Sequence, residues 1–314
     1  MENLIFSLNA TMPIFMLMVL GYFLNRIGWM DDVLAAKLNT FVFRVSLPVT
    51  LYNQLAGVDI YAAWDSGFVL FCFCATLISV LLAAFISLLF PDKAERGELI
   101  QASYRSSAAL LGLAFIENIY GSSAMAPLMI IGAVPLYNVV AVVALSLTDP
   151  EQQGLDRETL QHTLRGIVTN PILIGILIGL GWSLLKLPRP PILTKTCASV
   201  GATATPLGLM AMGASFDFKK ASGKLKPALT ASFLKLFGFN LIFLPIAIRL
   251  GYREEKLVAI LVMLGSATTV SCYVMAKNMH HDGVLSSSVV MLTTLFSAFS
   301  LTFWLFLMKS FGML

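Results

Sequence analysis

Charge is scarce in this chain. Asp, Glu, Lys and Arg make up 12% of its 314 residues, whereas 58% are hydrophobic. That charged fraction is about half that of an ordinary soluble domain. No soluble core could hide so much apolar surface, so the composition excludes a water-soluble globular protein. Cysteine and histidine are scarcer still, with four Cys and three His. Cys72, Cys74, Cys197 and Cys272 all fall inside apolar stretches, which argues against a disulfide framework and against a zinc site of close loop spacing. They read as packing residues. His280-His281-Asp282 has no HExxH pattern beside it and no further ligand at metal spacing. That cluster reads as a solvated turn, and His162 as part of a polar loop. The first apolar stretch has neither a positive n-region nor a plain small-residue cleavage site, so it reads as a helix rather than a secretory signal. The net charge of +4 sits mostly in loops, where topology and anionic lipid account for it without a nucleic acid partner. No metal and no cofactor is expected.

Apolar stretches of about 20 residues are present instead, each enough at 1.5 Å per residue to cross a hydrocarbon layer roughly 30 Å thick. Their approximate bounds are 4–25, 34–55, 66–90, 99–118, 124–147, 164–185, 192–214, 227–248, 256–277 and 284–308. The chain also nearly repeats itself. Pro13, Gly21 and Pro48 recur as Pro171, Gly179 and Pro206, each 158 residues on. The pattern predicts an all-α membrane protein of ten transmembrane helices, with one five-helix repeat in 1–147, a cytoplasmic linker in 148–163 and a second five-helix repeat in 164–314. An odd number of helices inverts the second copy, and a duplicated hydrophobic chain of this kind suggests a transporter.

Orientation follows from Lys and Arg near the span ends, which favour the cytoplasmic side. One face collects ten of them and the other seven, and the densest cluster, Lys219, Lys220, Lys224 and Lys226, is on the first. That bias places both termini outside the cell.

Inside a membrane an ionisable residue is expensive and is a candidate site. Arg44 lies twelve residues past Asp32, about 18 Å along a helix and beyond easy snorkelling reach. It reads with equal weight as a carboxylate-binding guanidinium or as a structural tie to a neighbouring carbonyl. Arg105 is about 10 Å in from Glu98 and could extend back to the interface. Lys235 reads as a snorkelling residue, its basic neighbours Lys224 and Lys226 marking the surface it would reach. Glu117 and Lys277 read as interfacial. No Asp pair sits at mid-depth, so coupling to a proton or sodium ion through a buried carboxylate has little support.

Two segments are small and hydroxyl-rich where lipid-facing helices are bulky: Tyr104 to Gly112, and Leu264 to Tyr273. They occupy equivalent places in the fourth and ninth spans. Helices that unwind there would aim two positive N-terminal dipole ends into one midplane cavity, a setting for an anion. The plainer reading is close helix packing, as at Gly175 and Gly179.

At these residues the chain resembles the auxin efflux carrier family, which includes bacterial malonate carriers and the plant PIN proteins. The resemblance rests on Tyr104-Arg105-Ser106-Ser107-Ala108-Ala109-Leu110-Leu111-Gly112-Leu113 with Ile119-Tyr120-Gly121, on Val134-Pro135-Leu136-Tyr137-Asn138-Val139, and on Val270-Ser271-Cys272-Tyr273-Val274-Met275-Ala276 with Asp282 and Ser286-Ser287. It implies a scaffold set of helices beside a transport set, broken fourth and ninth helices crossing at the substrate, small organic anions as cargo, and dimers through the scaffold. The Gly175/Gly179 face could contribute to such a dimer. Family members often carry a proline in each crossover, where this chain has Ala114 and Ala267.

Together these readings predict a secondary transporter of a small carboxylate-bearing anion, working by alternating access. Arg44, Arg105, Ser106, Ser107, Gly112, Tyr137, Asn138, Ser266, Thr268 and Thr269 are the candidate substrate residues. Two alternatives remain open, a membrane sensor without net transport and a carrier of a non-anionic solute. An intramembrane enzyme is disfavoured, since no His or Asp lies at depth beside a nucleophile.

Overall fold

A computed structural model describes residues 2–57, 65–108, 116, 119–120, 125–150 and 168–314. The helices of eight residues or more among the described residues are α1 (Glu2–Arg26), α2 (Asp32–Ala56), α3 (Ser66–Ser87), α4 (Lys93–Tyr104), α5 (Ala126–Leu147), α6 (Pro171–Leu184), α7 (Pro191–Ala214), α8 (Leu225–Arg249), α9 (Glu254–Gly265), α10 (Ser271–Asn278) and α11 (Val284–Ser310). Six of them, α2, α3, α5, α7, α8 and α11, are long and apolar enough to cross a membrane. Large apolar side chains stand exposed on their outer faces, such as Leu81 and Phe85 of α3 and Phe299 and Phe306 of α11. An exposed apolar face of that extent suits lipid rather than water.

The starts are written in local chemistry. Asp31, Asp65, Asp92 and Asn170 each accept a backbone N–H of the following helix, at 2.7, 3.0, 2.9 and 2.9 Å, satisfying donors that a helix N-terminus leaves unpaired. Asp92 therefore begins α4 six residues ahead of the sequence-based boundary at 99. The charges of Lys93, Glu95, Arg96 and Glu98 mask that first turn in a hydrophobicity profile. Gly112, Ala114, Glu117 and most of the 148–163 linker lie outside the described residues.

The duplicated glycines make reciprocal contacts. Gly21 of α1 lies flush on the backbone of Met210 in α7, leaving no room for a Cβ, and a Cβ on Gly179 of α6 would sit 2.9 Å from the carbonyl oxygen of Tyr52 in α2. Met210 and Tyr52 are themselves 158 residues apart. Gly175 presses on Pro48 in the same way, its Cβ falling 2.5 Å from that carbonyl oxygen. The Gly175/Gly179 face is thus covered by α2 of the same chain, which removes it as a dimer surface. Between α2 and α7, Ser46 and Thr203 share a hydroxyl hydrogen bond of 2.8 Å, and Thr50 donates to the Gly201 carbonyl at 3.1 Å.

Loop contacts sort onto two faces. On one, Lys224 pairs with Glu95 and Asp282. On the other, Lys256 pairs with Asp65 at 2.5 Å, Arg189 donates to Asn53 at 2.8 Å, and the Met125 amide donates to Glu255 at 2.7 Å. The Lys256 ammonium holds the Asp65 carboxyl below the usual carboxylate range.

Close backbone contact at the repeated glycines predicts that Gly21→Ala and Gly179→Ala each lower the melting temperature in detergent, by roughly 1–3 kcal/mol of overpacking. Gly181→Ala, with no atom within 4 Å of the added Cβ, should leave it unchanged or raised, by up to about 1 kcal/mol.

Candidate functional site

Both hydroxyl-rich segments interrupt their helices. α4 stops at Tyr104, where Arg105 turns extended at φ −74° and ψ 129°, and the ninth apolar stretch is broken into α9 and α10 by residues 266–270. Ala267 sits in that break, so no proline is needed there. Ser and Thr offer the backbone local hydrogen bonds that compete with the helix, and the two breaks complete each other. Ser106 and Thr268 pair as an antiparallel bridge, the Ser107 amide donates to the Ala267 carbonyl at 3.0 Å, and the Thr268 hydroxyl donates to the Ala102 carbonyl at 2.8 Å. The Thr268 amide finds the Thr293 hydroxyl of α11 at 3.0 Å. In an apolar medium these are the donors and acceptors available to an unwound backbone.

Two cations are buried at this crossing. Arg105 is 2% exposed, and its guanidinium donates to Asn138 Oδ1 at 2.8 Å, Ser271 Oγ at 2.7 Å and Gln101 Oε1 at 3.2 Å, with Met275 Sδ at 2.9 Å. It does not extend back to the interface. Lys235 is fully buried as well, which overturns the snorkelling expectation. A π-turn over Leu234–Gly238 changes the azimuth of the side chain, and the ammonium is directed inward. It donates to Tyr104 O at 3.2 Å and Met263 O at 3.5 Å, and also to the Ser106 hydroxyl. Those carbonyls belong to the last turns of α4 and α9, two negative dipole ends, so one ammonium serves both. Among the described residues neither cation is in an ion pair.

In front of Arg105 lies a cavity of about 70 Å³, room for roughly five waters at about 10–15 Å³ each. Arg105, Ser106, Ser107, Tyr137, Asn138 and Thr269 all line it. The rest of the lining is mixed, with Leu47, Leu51, Val134 and Ile172 beside the polar Thr50, Gln54 and Thr205. Tyr137 donates to Met263 O at 3.0 Å, and Asn138 donates back to Val134 O at 2.9 Å, the carbonyl whose helical donor is its own backbone. Of the other candidates, Ser266 and Thr268 are buried behind the lining, and Gly112 lies outside the described residues. Arg44 stands apart. It sits in the π-turn Val42–Ser46 with its side chain exposed on the outer surface and outside the cavity lining. Ser271 belongs to the site although sequence reasoning passed it over, and its place as first residue of a helix after a hydroxyl-rich break was the available signal.

Geometrically, the site offers a guanidinium, the N-terminal end of α10 at Ser271, neutral donors and no carboxylate among its lining residues. Positive potential without a fixed counter-charge favours an anion. Lys235→Met is predicted to take the ammonium donor from the Tyr104 carbonyl and from the Ser106 hydroxyl, while Met263 O keeps the Tyr137 hydroxyl. The melting temperature in detergent should fall by the equivalent of about 1–3 kcal/mol, and an unchanged value would remove Lys235 from this role.

Similarity to a known family extends over most of the chain. No curated protein matches it, but a family model described as "Membrane transport protein" matches residues 6–305. That family is one of transporters rather than enzymes. With six long apolar helices around a crossing of broken ones, the chain is a multi-pass membrane protein, and it belongs to the auxin efflux carrier family of membrane transport proteins.

Proposed function

We propose that this transporter carries a small organic anion with a single carboxylate, by alternating access, and that Arg105 is its principal ligand. The observation that carries the reading is the buried guanidinium facing a cavity with no carboxylate in its lining. A planar fork of donors suits a carboxylate, and the α10 N-terminus adds to the same potential. Leu47, Leu51, Val134 and Ile172 in the lining fit a short hydrocarbon tail, and among the described lining residues Arg105 is the one charged side chain, which matches a single carboxylate.

Ten helices in two inverted repeats is the layout proposed for the whole chain. The reciprocal Gly21–Met210 and Gly179–Tyr52 contacts support it, as does the sorting of loop contacts onto two faces. On that layout the Lys219–Lys226 face is cytoplasmic and both termini are outside. A homodimer, if formed, would use a face other than Gly175/Gly179.

Purified protein in liposomes tests the reading by uptake of labelled short monocarboxylates, dicarboxylates and neutral amino acids. Monocarboxylate uptake is expected, lost by at least tenfold in Arg105→Ala and close to wild type in Arg44→Ala, since Arg44 lies away from the cavity. Preferred uptake of a cation or a neutral solute would refute it, and so would full activity in Arg105→Ala.

A further inference from the structure

The turn between α10 and α11 is polar, yet one of its side chains is enclosed. His281 is 3% exposed, while His280 and Asp282 on either side are exposed. This departs from the solvated turn expected of that sequence. Its Nδ1 lies 3.2 Å from the carbonyl oxygen of Ala94 in the first turn of α4, and its Nε2 lies 3.0 Å from that of Leu145 in the last turn of α5. A carbonyl oxygen can only accept. A neutral imidazole has one N–H and one bare lone pair, so either tautomer would set a lone pair against a carbonyl at one of the two contacts. The imidazolium donates to both.

We propose that His281 is a proton-binding site whose imidazolium ties the ends of α4 and α5 to the α10–α11 turn.

The surroundings favour the charge. Leu145 is among the final carbonyls of α5, at the negative end of that helix, where a cation is stabilised. The charged groups on the elements packed around the ring are largely engaged. From α4, Glu98, its carboxyl pushed up to about 7 by burial, accepts the Gly283 and Ser286 amides at 3.1 and 2.8 Å, Arg96 donates to Phe90 O, and Glu95 faces Lys224. After α5, Asp149 meets His280 Nδ1 at 3.0 Å. In the turn, Asp282 pairs with Lys224 of the α8 approach at 2.7 Å. Although partial burial pushes the Asp282 carboxyl up, the Lys224 ammonium and the Val284 amide hold it below the usual range, so it stays ionised beside the ring. Lys93 and Lys277 are exposed to solvent. Local acid is well represented, and no cation is in hydrogen-bonding contact with the imidazole among the described residues.

The same three elements meet again at the anion site. Eleven residues on from Ala94, about 16 Å along the helix axis, Arg105 follows the end of α4. α5 carries Tyr137 and Asn138, and α10 begins at Ser271. A proton at His281 and an anion at Arg105 therefore sit at opposite ends of one rigid set. Losing the proton leaves one carbonyl facing a lone pair, so deprotonation weakens the clamp.

The first test needs no transport and so fails or succeeds independently of the anion reading. In protein carrying 15N-labelled histidine, ring-nitrogen spectra report both protonation and tautomer. The three signals are assigned with His162→Gln and His280→Gln. His281 is expected to show two protonated ring nitrogens at pH 7.0, and the melting temperature should fall between pH 6 and 8.5, a slope kept in His280→Gln and shallower in His281→Gln, where Glu98 supplies the remainder below about pH 7. One bare and one protonated nitrogen at pH 7.0 would overturn the proposal, as would the same slope in His281→Gln. Should His281→Gln fail to fold, the wild-type spectrum alone decides.

Discussion

A helix that stops halfway across an apolar layer leaves carbonyls and amides with no water to turn to, and this molecule depends on how those groups are met. Two interrupted segments solve the problem for each other. Ser106 bridges Thr268, Ser107 reaches Ala267 and Thr268 reaches Ala102. Neither break is stable alone in that medium, since each orphaned group costs several kcal/mol. The crossing is therefore a single cooperative unit, and whatever moves one half-helix disturbs the other.

Charge at the crossing follows from the same constraint. Helix ends bring partial negative charge where α4 and α9 terminate and partial positive charge where α10 begins. Lys235 answers the first with an ammonium that donates to both terminal turns. Arg105, one residue beyond α4, is stretched along the first turn of α10, held by Ser271 and Asn138. One cation thus closes the structure and the other is left facing a cavity. That difference between two buried cations, one engaged with helix-end carbonyls and one lining a cavity, is the physical basis of the anion reading.

Much of this was legible in the chain and some was not. Asp31, Asp65 and Asn170 were passed over as helix caps, although a short polar acceptor before an apolar run has few other uses. The break at 266–270 announced itself through Ser266, Thr268 and Thr269 even with Ala267 in place of proline. Arg44, Arg105 and Lys235 show where such reading ends. Residue counting gives depth along a helix axis, and it ranked Arg44 first. It gives no azimuth, and the π-turns at Val42–Ser46 and Leu234–Gly238 insert a residue that alters the facing of everything beyond them. His281 failed for a related reason, because a polar turn is buried or solvated according to what packs on it.

By itself, the sequence determined that the protein lies in a membrane and that it is helical, and it marked two hydroxyl-rich segments where a helix could break. These properties depend on composition, hydrophobic length and local hydrogen-bonding competition, all of which act over a few residues. Only the tertiary structure decided which cation faces the cavity, that Gly175 and Gly179 are covered by α2, and that one histidine bridges two helix ends. Those facts depend on contacts between residues far apart in the chain, such as Lys235 with Tyr104 and His281 with Leu145, and such distances exist only once the helices have packed.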